Sequence, residues 1–207
     1  MNIYTSLFKE LIRYTKAMNT TAFSFLEGSA VDAAKALLGC ELERIIDGRR
    51  IRVKIAETEA YDQTDAASHS YKGKTPRTEI MFGPAGYLYV YFTYGMHYCF
   101  NIVTGTVGEG SAVLIRAVEP IEGEEYMQAL RSKMGVELSN GPAKACQALG
   151  IDKTFNGHNL RHTPFRLIVK PALSSTLITQ TPRIGISQAK DVPWRFYITN
   201  SPYVSRS

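Results

Sequence analysis

The chain has 207 residues, of which 44% are hydrophobic and 21% are charged, and its net charge is +5. These values are typical of one globular domain with a buried core, and they exclude a disordered or fibrous protein. No segment has the apolar length of a membrane span, so no membrane partner is expected. The positive charge is compatible with a polyanion such as nucleic acid as a partner.

Residues 1–22 are expected to form an N-terminal extension, in which one apolar face predicts a short helix. Charged side chains interrupt the place where a signal peptide needs an apolar core, which disfavours secretion. Residues 23–207 contain no linker, repeat or low-complexity tract, so they are expected to form a single domain. The cysteines lack metal-site spacing and are expected to be buried thiols: Cys40, Cys99 and Cys146.

The predicted elements follow one another without a regular alternation of strand and helix. Ser29 can cap a helix that ends at Gly39, and Asp47-Gly48 predicts the turn of a hairpin. Its strands are predicted at 41–46 and 50–60, and a polar loop region covers 62–86. Later elements are predicted as a strand at 112–118, helices at 123–134 and from Pro142 to Gly150, and strands at 165–170, 183–187 and 195–199. This order indicates a single α+β domain.

The first long strand brings carboxylates to an unusual position. Ile51, Val53 and Ile55 alternate on one face, and if the strand continues, Glu57 and Glu59 share that apolar face. Their Cα atoms would lie about 7 Å apart, near the spacing of carboxyl pairs that hydrolyse glycosidic bonds. The alternative is that the strand ends before both glutamates, which are then solvated or paired with arginine.

The segment 87–103 predicts an aromatic hairpin that turns at Gly95. Its aliphatic face, with Leu88, Val90 and Phe92, is predicted to pack in the core. The opposite face carries Tyr87, Tyr89 and Tyr91, and it forms either a second core layer or the wall of an aromatic pocket. Tyr94 falls at the turn, where it must point into water. An aromatic ring in that position is suited to stacking on a base.

Two polar residues interrupt apolar strands. Asn101 and Arg116 must be hydrogen-bonded if they are buried, and Glu57 or Glu59 is the expected partner of the arginine. Basic residues precede the hairpin on a glycine-containing loop, where they are candidates for contacts to DNA phosphates: Lys72, Lys74 and Arg77.

A metal site is the weaker interpretation of the acidic loop that follows the strand. Asp62, Asp65 and His69 could join Glu59 around a metal ion, but their spacing matches no standard ligand pattern. Asp65 is better suited to an N-cap, and no metal or other cofactor is expected. A metal-dependent hydrolase therefore remains an alternative.

Taken together, these segments resemble the alkyladenine (3-methyladenine) DNA glycosylase family. The resemblance extends over nearly the whole chain from about Ala30, in order and in spacing. It rests on AETEAY at 56–61, ASHS at 67–70, KTPR at 74–77, YVY at 89–91, YGM at 94–96, Asn101, LIRAVEP at 114–120, NGPAK at 140–144 and PRIG at 182–185.

The resemblance implies an α+β domain with a curved, largely antiparallel or mixed sheet, surrounding helices and a protruding hairpin that intercalates into DNA. It implies a monofunctional glycosylase of the DNA-3-methyladenine glycosylase II type, which starts base excision repair. Such an enzyme flips a damaged purine out of duplex DNA and hydrolyses its N-glycosidic bond, leaving an abasic site without a lyase step. The implied substrates are 3-methyladenine, 7-methylguanine, hypoxanthine and ethenoadenine.

The resemblance also implies a role for each matched residue. Glu59 is implied as the general base that activates water, which Arg116 and the main-chain carbonyl of Ile184 would hold. The implied base-binding pocket consists of Tyr61, His69 and Tyr91, with Asn101 rejecting the amino group of guanine. Tyr94 would enter the minor groove and fill the gap that the flipped nucleotide leaves.

Two positions depart from the human member of the family, which has Asn at the position of Thr78 and Tyr at that of His97. Both positions flank the implied site. The resemblance therefore supports the reaction more directly than it supports the range of accepted bases. The implied partner is damaged duplex DNA, bound as a monomer. The implied location is the cytoplasm and nucleoid of a prokaryote or the nucleus of a eukaryote.

A non-catalytic binder of distorted DNA is the rival hypothesis from another class. Such a binder would share the tyrosines and the basic loop. It has no need for an inward carboxylate, whose charge repels phosphate, so Glu59 in line with Arg116 favours the enzyme.

Overall fold

One antiparallel sheet organises the protein. The computed structural model describes residues 23–93 and 95–205, so the expected extension at 1–22 and Tyr94 lie outside the described residues. Within the described part there are eight strands and three α-helices. The strands are β1 Glu41–Ile46, β2 Arg49–Tyr61, β3 Leu88–Thr93, β4 His97–Val103, β5 Ala112–Glu122, β6 Phe165–Ile168, β7 Ile178–Thr181 and β8 Arg195–Ile198. The helices are α1 Ala30–Leu37, α2 Glu124–Arg131 and α3 Pro142–Ala148.

The order of strands along the sheet is β3-β4-β5-β2-β1-β6, and β8 pairs with both β2 and β7. All these pairs are antiparallel, which confirms the α+β class and resolves the sheet as antiparallel rather than mixed. None of the helices in the described part of the chain is long and apolar enough to cross a membrane.

Local sequence signals account for the first elements. Ser29 caps α1, because its Oγ accepts the main-chain N–H of Asp32 at 3.1 Å. Asp47 and Gly48 both have positive φ, which is the geometry of a tight turn between two hairpin strands. The predicted cap, hairpin and strand positions are confirmed here.

Two predicted elements differ from the structure. The strand predicted at 183–187 is wrong: this segment is a loop, because Gly185 adopts a positive φ of 74° and Arg183 turns inward. The helix predicted at 123–134 is shorter, since Ser132 ends α2 in the left-handed conformation. The short strand β7 is a further element that the sequence did not predict.

Strand β2 has a different neighbour along each part of its length. Its first half pairs with β1 and its last residues pair with β8, while β5 lies along its other side. The register with β5 is irregular between Ile55 and Thr58, where Ala56 of β2 and Arg116 of β5 have no direct partner. The irregularity is therefore present on both strands at the same level of the sheet.

This irregularity changes which face the side chains occupy. Ile55 belongs to the main hydrophobic core, and beyond the irregularity it is Ala60 that joins the same core. Thr58 faces the same side, since its Oγ1 donates to the carbonyl of Ala34 in α1 at 2.9 Å. Glu57 and Glu59 consequently point to the opposite face. The expectation that they share the apolar face of Ile55 is wrong, because it assumed an unbroken alternation.

The core is divided between the two faces of the sheet. The main cluster lies against α1 and α3 and includes Leu88, Val90 and Phe100. A smaller cluster on the other face includes Tyr89, which is 1% exposed. The prediction that Phe92 packs in the core is wrong, because its side chain is 51% exposed near the end of β3.

Replacement of Phe100 by alanine is expected to destabilise the protein by about 3–5 kcal/mol. The side chain is fully buried and contacts the ring of Phe165 edge-on, with the ring centroids 6.0 Å apart, so truncation leaves a cavity. Urea unfolding measures the change. Phe92→Ala, in the same hairpin, is the matched control and should change stability by less than about 0.5 kcal/mol. Equal losses in both variants would contradict this division of the hairpin.

Candidate active site

A cavity of about 460 Å³ opens on the face of the sheet opposite the main core. Strands β2, β3, β4 and β5 supply its floor, and the loops around residues 66–69 and 184–188 supply its rim. It brings together predicted residues from six separate segments of the chain: Tyr61, His69, Tyr91, Asn101, Arg116 and Ile184.

Glu59 lies fully buried directly behind this lining. Its Oε2 accepts the hydroxyl of Tyr61 at 2.8 Å and pairs with Nη1 of Arg116 at 3.2 Å. Its Oε1 accepts the main-chain N–H of Ile184 at 2.8 Å. A carboxylate offers about four acceptor positions, so the donors among the described residues leave one of them on Oε1.

Arg116 connects Glu59 with a second buried carboxylate. Its Nε lies 3.3 Å from Oε1 of Glu57, while Nη1 faces Glu59. Burial alone would lower the pKa of Arg116, but the two neighbouring carboxylates outweigh that effect and the pKa is raised. The guanidinium is therefore held in its charged form, and the predicted pairing of Arg116 with the glutamates is confirmed.

Glu57 differs from Glu59 in its hydrogen bonds. It accepts the main-chain N–H of Ser205 at 2.7 Å, the Ser205 hydroxyl at 2.8 Å and Nε of Arg195 at 2.5 Å. With Arg116 included, the described residues give Glu57 four donors, three on Oε1 and one on Oε2, whereas they give Glu59 three. Strand β2 continues to Tyr61, so the alternative in which it ends before the glutamates is wrong. The pairing of both glutamates with arginine, which that alternative also allowed, is confirmed.

The aromatic wall of the cavity is built on β3. Tyr89 and Tyr91 stack with their centroids 5.5 Å apart, and His69 meets Tyr91 edge-on at 4.6 Å. Nδ1 of His69 lies 3.0 Å from the hydroxyl of Tyr89. The tyrosine face of the hairpin is therefore both a second core layer and a cavity wall, the two interpretations that its sequence left open.

Burial raises the pKa of the pocket tyrosines. For Tyr61 the second cause is the negative charge of Glu59, and for Tyr91 it is the neighbouring thiol of Cys99. The hydroxyl of Tyr61 therefore remains a hydrogen-bond donor to Glu59 throughout the physiological range.

Asn101 occupies the floor of the cavity with 5% of its surface exposed. Its Nδ2 donates to the main-chain carbonyl of Tyr89 across the hairpin at 3.2 Å, which fixes the orientation of the amide. Because this bond uses Nδ2, it also fixes the position of the amide oxygen of Asn101.

The acidic loop at residues 62–69 is held by an ion pair between Asp65 and Arg183. Asp65 pairs with both terminal nitrogens of Arg183, one of them at 3.0 Å, and also accepts the N–H of Ala67, as a cap does. Asp62 accepts from Thr64. Among the described residues, no group of three His, Cys, Asp or Glu side chains could hold a metal ion.

The predicted phosphate-binding residues lie on the exposed loop before β3. Lys72, Lys74 and Arg77 are all exposed, and the guanidinium of Arg77 lies 5.9 Å from the ring centre of Tyr91. Arg77 is therefore at the rim of the cavity. Thr78 is buried and ties this loop, because its Oγ1 accepts the N–H of Thr75 at 3.0 Å.

Sequence reasoning missed several residues that build the site. Arg195 is the first residue of β8, so the criterion of a charge inside an apolar strand, which identified Arg116, does not find it. Arg183 stacks on the ring of Tyr61 at 4.8 Å and precedes Ile184, but it was assigned to a strand. Nothing in the sequence signals that Ser205 binds a residue 148 positions earlier.

The family model and the similar proteins that match this chain all carry the name of one kind of enzyme. The model of the methylpurine-DNA glycosylase family matches residues 24–202. A protein of Carboxydothermus hydrogenoformans, provisionally named a 3-methyladenine DNA glycosylase, is 52% identical over 84% of this chain and 92% of its own. Proteins with the same provisional name are 48% identical in Francisella tularensis, over 88% and 97% of the two chains, and 47% identical in Methanoculleus marisnigri, over 90% and 99%.

Stability should depend on pH through His69. Its pKa is lowered to about 4, first because the ring is partly removed from water and second because Arg77 is near. Below pH 6.5 the unfolded chain takes up a proton on this histidine that the folded chain does not bind, so the free energy of unfolding decreases as the pH falls towards 4. His69→Gln should remove this part of the decrease in urea titrations at pH 7 and pH 5.

The exposed His162 provides the control for this measurement. His162→Gln should keep the pH dependence of the wild type. If His69→Gln and the wild type lose equal stability between pH 7 and pH 5, the assignment of a neutral His69 is wrong.

Proposed function

The chain belongs to the methylpurine-DNA glycosylase family, whose members are DNA repair hydrolases, and on that premise we propose that it excises damaged purines from duplex DNA. The single observation that carries the mechanism is the buried carboxylate of Glu59, which has an unused acceptor position beside an aromatic cavity. The proposed reaction is hydrolysis of the N-glycosidic bond of 3-methyladenine, 7-methylguanine, hypoxanthine or ethenoadenine nucleotides.

Flipping of the damaged nucleotide is the proposed first step. The bond to be broken is inaccessible in stacked DNA, so the base must leave the helix at a cost of a few kcal/mol. Tyr61, His69 and Tyr91 would then enclose the base. Aromatic faces bind any purine, and they favour one made electron-poor by alkylation. Asn101, whose amide is fixed by Tyr89, would reject the amino group of guanine.

Glu59 is the proposed general base. Departure of the purine leaves positive charge on the sugar, which a buried carboxylate stabilises strongly. Water bound at the free position of Oε1 would pass its proton to Glu59 as it attacks the anomeric carbon. Glu57 is less suited to this role, since two of its partners, Arg195 and Ser205, are absent from the cavity lining, whereas Tyr61, Arg116 and Ile184, the partners of Glu59, all line it.

Arg116 and Ile184 are the proposed holders of the attacking water. Arg116 is held in its charged form and lines the cavity next to Glu59. The N–H of Ile184 is occupied by Glu59, so only its main-chain carbonyl is proposed to bind the water. Both residues contact the carboxylate of Glu59, Arg116 at Oε2 and the N–H of Ile184 at Oε1, which supports this assignment.

Contacts with the rest of the DNA are proposed for the rim of the cavity. Lys72, Lys74 and Arg77 would bind phosphates from their exposed loop, with Arg77 nearest to the flipped base. Tyr94, which falls between β3 and β4 in the sequence, would enter the minor groove and replace the stacking that the flipped base gives up. The enzyme would act as a monomer in the cytoplasm.

The proposed reaction has no lyase step. A Schiff base at the sugar needs an amine nucleophile, and no lysine is among the described residues that line the cavity. Direct attack by water is therefore the proposed route, in the manner of the DNA-3-methyladenine glycosylase II type. The product would be an intact strand with an abasic site.

Glu59→Gln should abolish release of free base while leaving DNA binding intact, because the amide keeps the shape of the side chain but cannot take a proton. The measurement uses duplexes that contain hypoxanthine, ethenoadenine or 7-methylguanine, in EDTA, with the free base quantified. Glu122→Gln, which changes a partly exposed carboxylate paired with Arg50, should keep the wild-type rate.

Equal base release by the wild type and Glu59→Gln would show that another group activates water. Activity lost in EDTA would favour the metal-dependent hydrolase. Strand cleavage without alkali, or a protein–DNA adduct trapped by borohydride, would contradict the monofunctional mechanism.

Tyr94→Ser should weaken both duplex binding and the rate of base release, because the gap in the stack is then left open. Single-stranded DNA with the same lesion provides an internal control, since it has no opposing stack to restore. The variant should process that substrate at the wild-type rate. Unchanged affinity and rate on duplex DNA would eliminate the proposed role as a wedge.

A further inference from the structure

We propose that Glu57 and Ser205 position Arg116 for catalysis, so that the segment after β8 forms part of the active site. The inference rests on the proposed glycosylase function and assigns to these two residues a role in that reaction. Neither residue lines the cavity, and their hydrogen bonds within the described part of the chain reach the lining only at Arg116, so both act through that residue rather than on the substrate.

Ser205 contributes all its polar groups to this buried network. Its N–H and its hydroxyl both donate to Glu57, at 2.7 and 2.8 Å. Its carbonyl accepts Nη2 of Arg195 at 3.1 Å, and its Oγ accepts Nε and Nη2 of Arg116 at 3.3 Å. Only 7% of the residue is exposed.

These contacts fix the direction of the Arg116 guanidinium. The group is a rigid planar fork, so a hold on one edge determines where the other edge points. Glu57 and Ser205 hold the edge formed by Nε and Nη2, which leaves Nη1 to approach Glu59 at 3.2 Å. Without that hold, Arg116 is free to turn and bind Glu59 through two nitrogens, which would occupy the acceptor that the water needs.

Glu57 also balances charge around the general base. The buried network contains two carboxylates, Glu57 and Glu59, and two guanidiniums, Arg116 and Arg195. Removal of the Glu57 charge leaves an excess positive charge beside Glu59. That excess stabilises the ionised form of Glu59 and makes it a weaker acceptor for the proton of water.

The other groups that face Glu59 stay constant in this comparison. They are the hydroxyl of Tyr61 on β2, the N–H of Ile184 on the loop and the more distant Tyr91 on β3. A change in pH dependence on alteration of Glu57 can therefore be traced to the network behind Arg116.

The test is single-turnover base release from a hypoxanthine duplex, measured against pH. Glu57→Gln should lower the maximal rate by about 10- to 100-fold, which is typical of a misplaced catalytic group, while the DNA concentration for half-maximal rate stays within about twofold. The acidic limb of the rate profile should move to lower pH, because the excess positive charge opposes protonation of Glu59. A purely structural role would lower the amount of active protein without moving the limb.

Ser205→Ala provides a second variant that leaves every charge in place. It should lower the maximal rate, and Ser205→Thr should restore it, because threonine keeps the hydroxyl. Ser201→Ala is the matched control: Ser201 lies on the same segment, where its hydroxyl accepts from Tyr203, and it does not contact Glu57. This control should keep the wild-type rate.

The outcomes separate this inference from the function on which it rests. If the wild type releases no base from any lesion, the proposed function fails. If the wild type is active and folded Glu57→Gln keeps its rate and its acidic limb, the positioning role is overturned. If Glu57→Gln does not fold, as thermal unfolding will reveal, equal rates for Ser205→Ala and Ser201→Ala overturn the role instead.

Discussion

The position of Arg116 between two buried carboxylates is the interaction on which the site depends. Glu57 and Glu59 lie on the same strand and both have no exposed surface, so each would be costly without a charged partner. A single arginine on β5 contacts both, and Arg195 on β8 supplies the second positive charge. The strand order that places β5 and β8 on either side of this part of β2 therefore supplies the positive charges that allow both carboxylates to be buried.

Because the pairing of β2 with β5 is irregular, the side chains of β2 that pack in the core and those that face the cavity lie on opposite faces of the strand. Thr58 and Ala60 face the main core and α1, whereas Glu57, Glu59 and Tyr61 face the cavity side. An unbroken strand would have sent the carboxylates into the hydrophobic core. Irregular strand pairing beside active sites commonly re-aims side chains in this way.

The sequence predicted those features that depend on local chemistry. The cap at Ser29 and the turn at Asp47-Gly48 follow from residue type alone. The family resemblance then identified residues that the fold gathers around one cavity. The change of face within β2 could not be predicted, because it depends on the register with a distant strand. The inward turn of Arg183 towards Asp65 depends in the same way on a contact 118 residues away.

The two roles of the aromatic hairpin follow from its position at the edge of the sheet. Near its base, Tyr89 is buried in the second cluster and its carbonyl orients Asn101, so this part of the cavity is as rigid as the core. Towards the tip, Tyr91 is half-buried and Phe92 is exposed. Burial thus decreases along one strand, from groups that the core fixes in place to groups that an external partner can reach. Under the proposed function, selection of the base and attachment to DNA could then be altered separately, although they would reside on the same hairpin.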